Sequence, residues 1–576
     1  MRSLFTRAAL PALVALVLVS AGTPALAVGG TQIPERSRAP GTHDTPVPGA
    51  QAPKELPALT PAPRDALTLA LQRGMLTEAE YALQRALSVF HPALVRARFG
   101  RVASPDQRSV TMILRDLAIR IRDVPADLRK VARSILARPT DGAADPYGDG
   151  YTVPEAAPVC AGSWCVHYVT STVDAPPAVD VSPANGIPDQ VDATLTAMSE
   201  VWAKEITEYG YRPPKSDITS ANAGPDGNID IYLADIGDYA YGYCASDDPN
   251  LGDPAYLYYD MSAYCVFDND YSPVQFPPPS TSGIPALEVT AAHEFFHAVQ
   301  FAYDFWEDLW LMEGTSTWME DEVYDDVNDN VGYLPYGQLG NPRTPVDKGS
   351  GLTMYGNWIF WRFLSESFGT APGTPDPTII RDIWTYADGS AVGQDDYSTQ
   401  AAARVTSERG VRFRWAYANF GMYNVAPELF YEEGVTYPTP PITRSYRITR
   451  ANGGARGNAT ADHLTNSYIE FRRGRGVSTV AKLLIDLNLP PYKMGPEVSA
   501  VVFRTDGSVK FLVYGVPKDG DLTIKVPFAR GTVRRVVLVL TNASTRFSCW
   551  EGTVYSCQGS PWDDGWNYRY VADLLN

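Results

Sequence analysis

Apolar residues change their spacing along the chain, from helical near the N-terminus, through a mixture in the middle, to alternation towards the C-terminus. Within residues 64–138, Leu83, Ala86, Leu87 and Phe90 form one stripe, and Leu128, Val131, Ala132 and Ile135 form a second. That spacing predicts short amphipathic helices. Thr77 and Glu80 fit a capping box at the first of them, because hydroxyl and carboxylate can each satisfy a backbone donor that the helix end leaves free. From 150 to 435, strand-like runs at 164–170 and 229–233 mix with helical patterns at 191–208 and 287–303, an α+β arrangement. Beyond Tyr446 short alternating runs return at 500–504, 509–514 and 533–540, with a turn at Asp506 and Gly507. They predict a C-terminal β-sandwich of about 130 residues over 446–576. The expected fold class is α+β and multidomain, with three or four units for a chain of 576 residues.

The ends refine this division. Arg2 and Arg7 precede an apolar run, and Ala25, Leu26 and Ala27 form a small-residue cleavage signal, so 1–27 reads as a signal peptide of a secreted protein. No later apolar run reaches the roughly 18 residues of a membrane helix, so no membrane span is expected. Residues 28–63, rich in Pro, Ala and Thr, read as an extended linker. Six cysteines fall as three local couples, Cys160 with Cys165, Cys244 with Cys265 and Cys549 with Cys557. In an exported chain they are expected to be disulfides that pin loops.

Charge adds a partner argument. The chain holds 48 Lys and Arg against 66 Asp and Glu, which disfavours nucleic acid. Yet 64–138 carries 14 basic against 7 acidic residues. This basic region, 64–140, reads as a pro-region docked on an acidic enzyme until removed, or else as a permanently attached helical domain.

Candidate chemistry concentrates in EVTAAHEFFHAVQ, residues 288–300. On a helix, His293 and His297 lie one turn apart on one face and can reach one zinc ion, with Glu294 beside them as general base towards a zinc-activated water. With 6 His in the chain, the pattern arises by chance roughly a few times in a thousand. A buried amphipathic helix with two satisfied histidines is the plain alternative. Catalytic zinc needs a third protein ligand and an open position. Gln300 and Tyr303 stand where an extended metzincin motif would place Gly and a third His. In LWLMEGTSTWMED, residues 309–321, Glu313 is favoured as that ligand over Asp304, Glu307, Asp308 and Glu320. If the stretch is helical, Glu320 shares its face and can orient a ligating histidine from behind.

HExxH followed by WLMEG and a further Glu seven residues on resembles the gluzincin peptidases, especially the aminopeptidase branch, where a Glu-Gly element supplies the third ligand. The gap of 15 residues between His297 and Glu313 is shorter than usual there. AAHEFFHAVQF and EGTSTWMEDEVYDD resemble more closely a group of bacterial secreted metalloproteases, over about Tyr151 to Trp384. The resemblance implies a gluzincin-like zinc peptidase domain, a protein or peptide substrate and a Tyr or His that stabilises the oxyanion. Tyr355, in LTMYGNWIFWRFL, is the candidate for that role, with Tyr324 an equal rival. A monomer is expected. The runner-up reading is an extracellular adhesion or binding protein that retains the metal without turnover.

Asp180, Asp189 and Asp192, in DVSPANGIPDQVD, could supply oxygens to calcium. A Pro-Gly turn leading into the next helix is the favoured account of that loop. No GxSxG elbow supports serine chemistry.

Overall fold

The computed structural model describes Leu59 and residues 65–576 apart from 104–107, 146, 222, 225, 254 and 370–374. The leader assigned to 1–27, and all of the 28–63 linker but Leu59, lie outside the described residues. Among the described residues five helices come first: α1 Ala66–Gln72, α2 Glu78–Phe90, α3 Pro92–Phe99, α4 Val110–Ile119 and α5 Arg129–Ile135. The capping box at α2 is present, with Thr77 Oγ1 accepting from the Glu80 amide at 3.2 Å and Glu80 Oε2 accepting from the Thr77 amide at 2.9 Å. Every residue of α4 is buried. Leu83, Ala86, Leu114 and Leu117 belong to the same apolar core as the central sheet. Helices α2, α4 and α5 therefore share the core of the central block, while Leu67 and Ala70 of α1 and Val95 of α3 join Leu76, Tyr81 and Val102 in a small cluster of their own.

That block is built on a five-stranded sheet of β1 Val159–Ala161, β2 Trp164–His167, β3 Ile229–Ala234, β4 Gly242–Ala245 and β5 Tyr264–Asp268, in the order β1-β2-β3-β5-β4. The β2-β3-β5 pairs are parallel and the two outer pairs antiparallel. Both β3 and β5 are buried throughout, as expected for strands covered on both faces, so neither shows alternation in the sequence. Between β2 and β3 runs α6 Asp189–Trp202, continued by a π-type turn over Ala203–Glu208. The predicted helix at 287–303 is α7 Ile284–Tyr303, which starts a turn earlier with Pro285, where a missing amide proton costs nothing. It packs on β4 and β5 and beside α8 Leu309–Val323. Helices α9 Leu352–Gly356, α10 Trp358–Ser367, α11 Thr378–Tyr386, α12 Thr399–Glu408 and α13 Phe413–Tyr423 complete the block.

The C-terminal region is a sandwich. One sheet contains β6 Arg444–Ile448, β8 Thr465–Arg473, β10 Pro496–Arg504, β11 Val509–Tyr514 and β13 Val533–Asn542. The other contains β7 Gly454–Ala461, β9 Lys482–Asn488, β12 Asp521–Pro527 and β16 Trp566–Leu575, and β14 Phe547–Ser548 pairs with β15 Ser560–Pro561 outside both. Along β9, Leu483, Ile485 and Leu487 point into the inter-sheet core while Lys482, Asp486 and Asn488 are exposed, the alternation of a half-buried strand. In β10 and β13 alternation is lost, because Val501, Phe503, Val537 and Val539 on the outer face are covered by Met422, Val425 and Ala426 at the end of α13. A polar clasp adds to this contact. His463, between β7 and β8, sets Nε2 3.0 Å from Asp347 and Nδ1 2.7 Å from Asp564. All three expected disulfides are formed, and Cys244–Cys265 joins directly opposed residues of β4 and β5.

Candidate metal centre

His293 and His297 project from one face of α7 towards α8, the helical spacing of one turn bringing both rings to one point. Their Nε2 atoms are 3.1 Å apart, and Glu313 Oε2, from the neighbouring helix, is 3.3 Å from the first and 3.6 Å from the second. All three side chains are buried. Four-coordinate zinc with bonds of about 2.0–2.1 Å separates its ligand atoms by about 3.3–3.4 Å, which the triangle matches.

The protons argue the same way. His293 Nδ1 is 2.7 Å from Glu320 Oε1, and His297 Nδ1 is 2.7 Å from Gln300 Oε1. Gln300 in turn donates through Nε2 to Met312 O, Thr315 Oγ1 and Ser316 Oγ, which fixes its oxygen towards the histidine. Each imidazole donates from Nδ1, so a ring that is neutral, as a metal ligand must be, aims the lone pair of Nε2 into the triangle. Neither Glu313 oxygen has a hydrogen-bond partner among the described residues. Two lone pairs and a buried carboxylate facing each other repel unless positive charge, from a metal ion or from a proton on one ring, sits among them. Burial disfavours charge on His293, but Glu313, Glu320 and Glu294 outweigh it and hold the imidazole up at about 10. Burial would raise Glu313, but the two imidazoles reverse the sign and hold its carboxyl down at about 2. The residues present thus fit a divalent metal, with neutral nitrogen and anionic oxygen donors suited to zinc.

Glu294 lies next to the triangle on the same helix, its Oε2 accepting from Thr111 Oγ1 at 2.7 Å. The outer strand β4 passes close by because residue 242 is Gly. A Cβ there would come within 2.6 Å of Thr290 Cγ2 and 3.3 Å of Glu294 Cγ. Tyr355, buried on α9, holds its ring 6.4 Å from that of His293 and donates from its hydroxyl to Arg108 O at 3.1 Å. Its rival Tyr324 turns away, its hydroxyl bonded to Glu200 Oε2 at 3.0 Å and Ala197 O at 3.3 Å on α6.

The competing ligands are engaged elsewhere. Asp304 Oδ1 caps the Trp306 amide at 2.7 Å, Glu307 Oε2 accepts from the Ser398 amide at 3.1 Å, and Asp308 Oδ2 accepts from the Cys557 amide at 2.6 Å. Glu320 stands behind His293 rather than beside Glu313. In the 180–192 loop, Asp180 accepts from the Asn185 and Gly186 amides, Asp189 from those of Val181 and Ser182, and Asp192 from the Asn185 side chain. Their oxygens serve the turn that leads into α6. Sequence reasoning missed Gln300, although its position three residues after His297 on one helix was a local signal. It also missed Thr111, Arg108 and Asp329, which reach the site only through tertiary contact.

No protein-family model and no curated protein matches the sequence. Among solved structures, the pre-peptidase C-terminal domain of a collagenase from Bacillus anthracis aligns over 23% of this chain and 97% of its own, at 10% identity and a TM-score of 0.15. A family GH115 4-O-methyl-α-glucuronidase with specificity for decorated arabinogalactans aligns over 51% of this chain and 42% of its own, at 10% identity and a TM-score of 0.13. Scores this low carry no argument about fold or function.

Proposed function

We propose that this protein is a secreted zinc-dependent peptidase of gluzincin type. The reading rests on one observation, the triangle of His293 Nε2, His297 Nε2 and Glu313 Oε2 at ligand spacing. Zinc held there would supply Lewis acidity, polarising a carbonyl and acidifying water. Glu294 takes the proton of the attacking water and returns it to the leaving amine. Glu320 and Gln300 fix the tautomer and direction of the two rings. Tyr355 donates its hydroxyl to the oxygen on which negative charge develops. Secretion is supported by the signal sequence and by three disulfides, which persist in oxidising surroundings. No helix among the described residues is long and apolar enough to cross a membrane.

The Glu294→Gln variant tests the assignment. It should bind zinc like the parent yet cut none of the peptides that the parent cuts. Unchanged cleavage would remove Glu294 as base, and a parent that binds zinc but cleaves nothing would leave a metal-retaining binding protein instead.

A further inference from the structure

Beside the candidate centre, a side chain from the N-terminal region reaches four side chains of the central block. Arg108, just ahead of α4, places Nη1 3.1 Å from Glu320 Oε1 and pairs Nη2 with Asp329. Its guanidinium carbon stands 5.0 Å from the Tyr333 ring centre and 5.4 Å from that of Tyr241. The side chain is 12% exposed. Its carbonyl accepts the Tyr355 hydroxyl. Three residues on, Thr111 Oγ1 donates to Glu294 Oε2 and accepts from the Cys244 amide of β4 at 3.0 Å. One short stretch thus engages the general base, the oxyanion donor and an amide of the outer strand, the groups a peptidase turns towards a peptide.

We propose that Glu320, Asp329, Tyr241 and Tyr333 form a subsite for a guanidinium side chain of a peptide substrate, and that Arg108 occupies it in cis as a substrate mimic that blocks the cleft. This rests on the peptidase reading and names its substrate class and its regulation. Two carboxylates from α8 and the following loop take separate nitrogens of a planar fork, and two aromatic rings flank its face, a combination that suits Arg better than Lys. Elsewhere in the same region, Arg138 is buried among Asp217, Asp230 and Asp247, but none of these touches the centre. Arg108 differs because its partner Glu320 also holds His293.

The full chain carrying Arg108→Ala tests the subsite without relying on turnover. Calorimetric titration with Nα-acetyl-arginine amide should show binding to this variant and none to the parent. The neutral isostere Nα-acetyl-citrulline amide should bind at least about tenfold more weakly, and adding Asp329→Asn should weaken the arginine probe about as much. If Arg108→Ala does not fold by circular dichroism, Arg108→Met, which keeps aliphatic volume, carries the same titrations. The zinc-loaded variant should also cut a peptide library faster than the parent, with Arg enriched next to the scissile bond. Equal binding of the arginine and citrulline probes, or equal arginine binding by parent and variant, overturns the subsite. Cleavage with no arginine preference also overturns it while leaving the peptidase reading standing. Arginine-selective binding without cleavage supports the subsite and sinks the peptidase instead.

Discussion

Replacing Glu320 by Gln isolates the carboxylate behind His293. Glu320 is buried, and its Oε1 lies 2.7 Å from His293 Nδ1 and 3.1 Å from Arg108 Nη1. A glutamine oxygen can still accept from Nδ1, so the ring keeps its direction and tautomer, and only the charge is lost. A hydrogen bond to a charged group contributes about 1.5–3 kcal/mol against about 1 for a neutral one, so the exchange costs about 0.5–2 kcal/mol of zinc binding. That corresponds to roughly tenfold in affinity, and Glu320→Ala, which removes the acceptor altogether, should move towards roughly 100-fold. Competition with a chromophoric zinc chelator reads the dissociation constants directly. Circular dichroism of the metal-free variants checks that the fold survives the loss of one partner of Arg108. Zinc affinity of Glu320→Ala within about twofold of the parent would refute the reasoning, since range and order both follow from the His293 contact.

Two further outcomes are expected. Gly242→Ala sets a Cβ 2.6 Å from Thr290 Cγ2 between β4 and α7, so thermal unfolding should show a loss of about 1–3 kcal/mol, as for an overpacked core, with reduced cleavage because the outer strand must shift beside Glu294. At the clasp between the sandwich and the central block, burial would lower His463, but Asp347 and Asp564 outweigh it and raise the imidazole from 6.5 to about 9. Its contribution, about 3 kcal/mol on this scale, is therefore full below pH 6.5 and lost as pH rises through about 9. The difference in melting temperature between the parent and His463→Gln should shrink across that window, and a flat difference would contradict the assignment.

What the sequence disclosed follows the range of the interactions involved. His293 and His297 one turn apart, and Glu313 with Glu320 two turns apart, are relations within single helices, and a periodic argument places each pair on one face. The capping box was legible for the same reason, and the run at 509–514 is strand β11, whereas β9 was not singled out. Strands β3 and β5, buried on both sides, carry no alternation, and β4 is only four residues long, so the sheet order could not be read. Basic residues and helical stripes in 64–138 were visible, but not that Arg108 and Thr111 would contact Glu320 and Glu294, because those pairs are 212 and 183 positions apart. Asp304, Glu307 and Asp308 looked eligible as ligands because sequence proximity does not reveal that their oxygens turn to backbone amides of nearby and distant loops.

X-ray absorption at the zinc edge, on protein purified without added metal or chelator, bears most directly on the centre. One zinc per chain with two imidazole nitrogens and light oxygen donors at about 2.0–2.1 Å, losing imidazole scattering in His297→Ala, is the expected spectrum. A chain that takes up no zinc, or zinc surrounded by sulfur, would contradict the centre formed by His293, His297 and Glu313.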